Sequence, residues 1–213
     1  MKRLKQIILC LAIPLFIAAC DNSIERANNA IGLIQDQMTK LVNELYEVQN
    51  LENQLQAHFE EDLKKSGDNL SYFNQEDILV IKNTSLRLEH LTAMEKAAEE
   101  LEKLMPELIN GRKNNALPMK DFESIDKMIQ SMKVDLTTYI TDYRKNIALE
   151  KQTFHSIGNP KIDYNNFFKV FDNINKLSET NLYNLDRLLV HFEPINQLIV
   201  DTKVKVVTLL ESK

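Results

Sequence analysis

The sequence predicts an all-α fold, an elongated four-helix up-and-down bundle, and three observations lead to it. Only four of the 213 residues are glycine, whereas tight hairpins and nucleotide-binding loops need glycine at many turns. Apolar residues recur in steps of three and four over most of the chain, as on the buried face of a helix. Three of the glycines, Gly67, Gly111 and Gly158, fall at breaks in this pattern. The heptad spacing also predicts coiled-coil-like, left-handed packing.

The first helix is predicted over residues 22–66. Its heptad positions are Ile24, Ala27, Ile31, Ile34, Met38, Leu41, Leu45 and Val48. Beyond them the apolar steps lengthen to four residues as far as Leu63, which locally relaxes a supercoil. The run Ser-Gly-Asp-Asn at 66–69 has the residues of a turn and ends the helix.

The second and third helices are predicted over residues 74–110 and 119–157. Asn74 and Asp77 suit the start of the second helix, and Gly111 follows its end as a C-terminal cap. Pro106 is expected to kink or fray the last turns. The run Gly-Asn-Pro at 158–160 ends the third helix, so both connections are short and neighbouring helices run antiparallel.

The fourth helix is predicted over residues 163–211, with one heptad register throughout and a bend at Pro194. Ser178 and Asn181 place polar groups in the heptad seam, where such residues fix register. Together with Thr202 they are also the seam positions that could line a pocket between the helices.

The first twenty residues indicate export from the cytoplasm. A basic head is followed by an apolar run and by small residues before Cys20, the layout of a secretory signal peptide. The end of this segment resembles the lipobox of bacterial lipoproteins, whose cysteine is diacylated and becomes the mature N-terminus. We therefore predict a cleaved signal peptide at 1–19, lipidation at Cys20 and a single bundle domain over 20–213. An ordinary signal peptide and an uncleaved anchor are the alternatives, although the apolar run is shorter than the ~20 residues that span a bilayer.

Several kinds of chemistry are excluded by what the sequence lacks. The formal net charge of −5 argues against binding of nucleic acid. No His follows a Glu at the di-iron spacing, no two His lie four residues apart, and neither a P-loop nor Gly-x-Ser-x-Gly occurs. Loss of Cys10 with the leader and lipidation of Cys20 would leave no free thiol. We expect no enzyme activity, no cofactor and no metal.

Aromatic residues concentrate at the end of the bundle that is distant from Cys20. The residues are Phe59, Tyr72, Phe73, Phe154, Tyr164, Phe167, Phe168 and Phe171. They either plug the end of the bundle or form a patch that binds a partner. Tyr72, Phe73, Tyr164 and Phe168 are the candidates for such a patch, and Tyr72, Phe73 and Phe168 are the members expected to be exposed.

The chain resembles the YkyA family of lipoproteins from low-GC Gram-positive bacteria. The lipobox, the all-helical mature region and the phrases at 44–47 and 149–154 carry the resemblance. It implies a cell-wall binding bundle on the outer face of the cytoplasmic membrane, held there by an N-terminal diacylglyceryl cysteine, without known enzymatic activity. No catalytic residues exist to be carried over.

Three classes of function follow. The first is a lipid-anchored bundle that binds a cell-wall polymer or an envelope protein. The second is a structural or assembly factor whose outer helix faces pair with partner helices. The third is an extracytoplasmic sensor that binds a ligand in a pocket between the helices.

Overall fold

The computed structural model describes residues 22–109 and 114–212, without the side chain of Tyr164. The predicted signal peptide, Cys20 and the predicted cap at Gly111 lie outside the described residues. Within these limits the structure contains helices and no strands, which confirms the all-α bundle. The left-handed packing stays a prediction.

Residues 22–109 and 114–212 form five α-helices and one short 3-10 helix. They are α1 (Ser23–Ser66), the 3-10 helix (Leu70–Asn74), α2 (Leu79–Ile109), α3 (Met119–Ile157), α4 (Tyr164–Leu189) and α5 (Phe192–Glu211). None of the helices in the described part of the chain is long and apolar enough to cross a membrane.

From α1 to α4, each helix lies antiparallel to the next one along the chain. Between α1 and α2, His90 Nδ1 lies 2.7 Å from Glu44 Oε2, while Asn83 Nδ2 donates to the carbonyl of Leu51. The paired residue numbers fall along α2 as they rise along α1, so the two helices run in opposite directions. Bonds between α2 and α3 and between α3 and α4 follow the same rule. The two connections at 67–78 and 158–163 therefore share one end of the bundle, called the distal end below.

Helix α2 begins at Leu79, five residues later than the sequence predicts. Residues 70–74 form the 3-10 helix instead, and the Asp62 carboxylate of α1 accepts the backbone N–H groups of Leu79 and Val80. Asp62 thus caps a helix other than its own, a long-range contact that local propensity does not encode. At the other end, α2 continues three residues beyond Pro106.

The fourth predicted helix is divided into α4 and α5. A proline removes the hydrogen bond to the carbonyl four residues earlier and its ring clashes with that carbonyl. For Pro194 the residue concerned is Val190, and the break lies at Val190–His191. Helix α5 packs on α1 and α3, whereas α4 packs mainly on α3. The bend expected from Pro194 therefore takes the form of a two-residue interruption at Val190 and His191, whose backbone angles stay in the right-handed helical region, and it separates two differently packed halves.

The core consists of two hydrophobic clusters. The larger follows the heptad positions of α1, α2, α3 and α5, includes Leu185 and Leu188 at the end of α4, and reaches from Ile24 to Val48 along α1. The smaller, called the distal cluster, fills the distal end of the bundle. Its buried members are Phe59, Phe73, Ile78, Val80, Ile81, Phe154, Ile157 and Val170.

Candidate binding site at the distal end

The 3-10 helix turns two of the predicted patch residues inward. Phe73 is completely buried, with its ring 5.6 Å from that of Phe59. Tyr72 is half-buried and meets Phe73 edge-on, and its hydroxyl lies 3.5 Å from Asp62 Oδ1. The expectation that Phe73 is exposed is wrong, because the 3-10 helix folds this loop back over the open end of the bundle.

Helix α4 presents the remaining aromatic residues. Phe168 is 47% exposed and its ring contacts those of Phe167 and Phe171. Phe171 is 36% exposed and meets Phe59 edge-on at 5.2 Å. The backbone of Tyr164 begins α4, and its side chain lies outside the described atoms. Most distal rings therefore plug the bundle, while Phe168 and Phe171 stay at the surface.

A cleft of about 540 Å³ opens between α1, α3 and α4 beside these rings. Its volume falls within the range of roughly 300–1,000 Å³ that is usual for small-molecule sites. The apolar wall consists of Leu55, Phe59, Phe154, Phe171 and Ile174. The acidic residues that line it are Glu52, Glu60 and Glu150, and Ser178 supplies a hydroxyl from the seam of α4.

Two contacts between α1 and α4 bracket the cleft. Phe171 meets Phe59 at the distal side, and Asn181 Nδ2 donates to Glu52 Oε1 at 3.1 Å on the other side. Between them α4 rests on α3 rather than on α1. The cleft thus follows from the interruption at Val190–His191. Because of this interruption, α4 lies apart from α1, whereas α5 packs against α1.

Behind the cleft lies a buried guanidinium that the sequence reasoning missed. Arg87 of α2 is 0% exposed and forms a two-pronged ion pair with Glu150 of α3. Its Nη1 also donates to the Tyr143 hydroxyl at 3.1 Å, and its Nε donates to Asn83 Oδ1 at 2.8 Å. Such forked pairs are the strong ones in proteins.

Two carboxylates share this one guanidinium. Glu52 Oε1 lies 4.0 Å from Arg87 Nη1, and Glu52 accepts further bonds from Gln49 and Asn181. Burial raises the pKa of Glu150 and nearby Glu52 acts in the same direction, whereas Arg87 opposes the shift. Burial lowers the pKa of Arg87, but Glu150 and Tyr143 raise it by more, so the guanidinium stays charged. The group thus places two carboxylates against one guanidinium, and both carboxylates line the cleft.

One signal in the sequence points to this network. The heptad seam of α3 passes through Tyr143 and Ile147, and its next two positions are Glu150 and Phe154. A carboxylate in a buried seam requires a partner, which indicates a buried cation on a neighbouring helix. Periodicity does not say which helix supplies it.

The polar seam residues of the last predicted helix have different surroundings. Ser178 lines the cleft, and Asn181 is buried between Asn146 and Glu52, to both of which it is hydrogen-bonded. Thr202 of α5 is completely buried and does not line the cleft. In the described ranges, no three His, Cys, Asp or Glu side chains are arranged to hold a metal ion.

Comparison with known proteins gives one match, to a protein family. The model of the YkyA family, described as "Putative cell-wall binding lipoprotein", matches residues 22–203. No curated protein and no solved structure matches the chain. Because the family match covers most of the sequence, the chain belongs to the YkyA family.

Proposed function

We propose that this chain is a non-enzymatic lipoprotein, anchored through Cys20 outside the cytoplasm, that binds a cell-wall component or an envelope protein at its distal end. The observation that carries the proposal is the cleft with its exposed rings, placed at the end of α1 that is remote from Cys20. The family description supports the cell wall as the target.

The length of the bundle suits this role. Helix α1 has 44 residues, which at ~1.5 Å per residue gives a length of about 66 Å. A site at its far end stands well away from the membrane surface, where wall polymers are accessible. Two acyl chains on Cys20 would provide the stable anchoring that a single chain does not.

Short-range contacts are the expected means of binding. The chain is acidic overall, and loss of the basic leader makes the mature protein more so, so anionic wall polymers repel it at long range. Phe168 and Phe171 offer apolar surface, and the carboxylates of the cleft offer hydrogen-bond acceptors. Aromatic anchors of this kind dominate many interfaces.

Sedimentation with purified cell wall tests the proposal. The full-length lipoprotein, solubilised in mild detergent, should sediment with wall fragments and remain bound at high salt. The double variant Phe168→Ala/Phe171→Ala should lose most of this binding. Tyr183→Ala is the matched control, because Tyr183 is 65% exposed on α4 but lies outside the cleft.

Two results would contradict the proposal. One is full wall binding by the double variant, and the other is equal loss of binding in the Tyr183→Ala control. If no wall binding occurs at all, crosslinking in intact membranes through a photoreactive group at Phe168 would identify an envelope protein partner instead.

The two other classes of function make different predictions. The cleft favours a ligand-binding sensor over an assembly factor, because the latter needs an outer face rather than a pocket. Exposed Val134 and Val190 would suit helix pairing in an assembly factor. Substitution of these two valines by serine should leave wall binding unchanged if the distal site is responsible.

A further inference from the structure

We propose that the cleft binds a primary ammonium group on an aliphatic chain, such as the side-chain amine of a wall peptide. This inference deepens the proposed function and rests on it for the source of the amine. It stands on the charge of the cleft, the nature of its walls and the position of the carboxylates.

The acidic lining of the cleft favours a cationic ligand. Its lining includes Glu52, Glu60 and Glu150 but, within the described residues, neither Lys, Arg nor His. The guanidinium of Arg87 is committed to Glu150 and Tyr143 behind the cleft. Carboxylates withdrawn from water need compensating charge, and Glu52, whose side chain is 12% exposed, accepts only neutral amide N–H groups from Gln49 and Asn181 and lies 4.0 Å from the guanidinium of Arg87. A ligand cation beside Glu52 would complete the balance.

The walls of the cleft suit an aliphatic chain with an amine at its end. Three phenylalanine rings, Phe59, Phe154 and Phe171, border it together with Leu55 and Ile174. Ring faces attract an ammonium ion, and the apolar side chains contact methylene groups. Lysine side chains have this combination of an apolar stem and a compact charged head.

The direction of binding follows from where these groups lie. Glu52 belongs to the inner side of the cleft, next to Asn181, whereas Phe171 is partly exposed at the distal side. An amine would therefore enter past Phe171 with its ammonium group foremost. The rest of a peptide would remain outside, against Phe168.

A titration with n-butylammonium tests the site directly. The full-length lipoprotein carries 13C-labelled isoleucine methyl groups, so that the methyl resonance of Ile174 reports on the cleft. Butylammonium should shift this resonance saturably, and butan-1-ol and butanoate are the neutral and anionic controls. We expect the amine to bind at least about tenfold more tightly than the alcohol, as a hydrogen bond to a charged group implies.

Variants separate the roles of charge and ring. Glu52→Gln should weaken binding of butylammonium by about tenfold while it keeps the shape of the side chain. Glu47→Gln is the control, because Glu47 is an exposed glutamate of the same helix. If Glu52→Gln fails to fold, Phe171→Ala tests the wall of the cleft and should also weaken binding. Equal binding of amine and alcohol, or an unaltered affinity in both cleft variants, would overturn the inference.

Acetylation of wall amines distinguishes this inference from the proposed function. Acetylation removes the positive charge, so acetylated wall should no longer sediment with the protein. Wall binding that survives acetylation would leave the proposed function intact and refute the amine as its target. Binding of butylammonium without binding to any wall would exclude the wall as the target of the proposed function and support the cleft as an ammonium site.

Discussion

The Asp62 carboxylate of α1 accepts the backbone N–H of Val80 at 2.9 Å and caps helix α2. The neighbouring N–H of Leu79 binds the same carboxylate at 3.1 Å. Asp62 is completely buried, so its loss would leave the buried N–H of Val80 and the partly buried N–H of Leu79 without this partner. The contact fixes the start of α2 against the end of α1.

Replacement of Asp62 is therefore expected to be costly. Asp62→Ala should lower the free energy of unfolding by about 2 kcal/mol, from the lost cap and the unpaired donors. Asp62→Asn should cost less, since the amide oxygen still accepts one bond. Urea denaturation measures both variants, with Asp68→Ala at an exposed turn position as the control. A loss no greater than that of the control would refute the capping role.

Removal of Arg87 should strongly destabilise the bundle. Arg87→Met leaves Glu150 buried without its partner, which costs about 3–5 kcal/mol in the free energy of unfolding. The double variant Arg87→Met/Glu150→Met removes both charges and should recover most of the loss. Urea denaturation of Arg87→Met, Glu150→Met and the double variant gives the coupling energy of the pair. Additive losses would show that the pair is not coupled.

Thr202→Val is expected to stabilise the protein. Thr202 is completely buried, and its Oγ1 has no hydrogen-bond partner in the described part of the chain. Valine has the same shape without the polar atom, so the free energy of unfolding should rise by about 1 kcal/mol. Thr84→Val is the matched control: Thr84 is also buried, but its hydroxyl donates to the carbonyl of Ile81 at 2.7 Å. Thermal unfolding should move in opposite directions in the two variants.

Alkaline pH should destabilise the bundle through its buried tyrosines. Burial raises the pKa of Tyr139 and that of Tyr143 above the ordinary value. Above pH ~10 the unfolded chain loses these protons while the folded chain keeps them, so stability falls as pH rises. Each tyrosine should contribute about 1.4 kcal/mol per pH unit. Urea denaturation between pH 9 and pH 11 measures the slope.

Tyr139→Phe is the check on this assignment. The variant should lose its share of the slope, while stability below pH 9 stays near that of the parent. A slope identical to that of the parent would contradict a role for Tyr139 in the pH dependence.

A side chain at Gly158 is expected to displace Asn74. A Cβ at this position would collide with the carboxamide of Asn74, which donates to the Gly158 carbonyl at 3.1 Å. Gly158→Ala should lower the free energy of unfolding by about 1–3 kcal/mol through overpacking. The double variant Gly158→Ala/Asn74→Ala removes the collision and should regain part of the loss. Chemical denaturation distinguishes this steric cause from a simple loss of the Asn74 hydrogen bond.

The heptad pattern predicts the parts of the structure that depend on periodicity alone. The buried face of α1 from Ile24 to Val48 and the seam of α3 lie where the apolar spacing places them. Pro194 also acts locally, on the carbonyl four residues earlier, and the sequence predicts a bend at this proline.

Features that depend on contacts between distant residues were beyond the sequence. The start of α2 depends on Asp62, the burial of Phe73 depends on the path of the 3-10 helix, and Arg87 depends on Glu150 from another helix. Each contact joins residues that no periodicity relates. The cleft also depends on contacts between distant residues, because it arises from the packing of α4 on α3.

The interruption at Val190–His191 affects how the sequence of such a protein can evolve. Helix α5 completes the half of the bundle near the start of α1, and α4 alone supplies one wall of the cleft. Substitutions in α4 that reshape the cleft leave the packing of α5 against α1 untouched. The two halves can therefore diverge separately in sequence, so that the same bundle can bind different ligands.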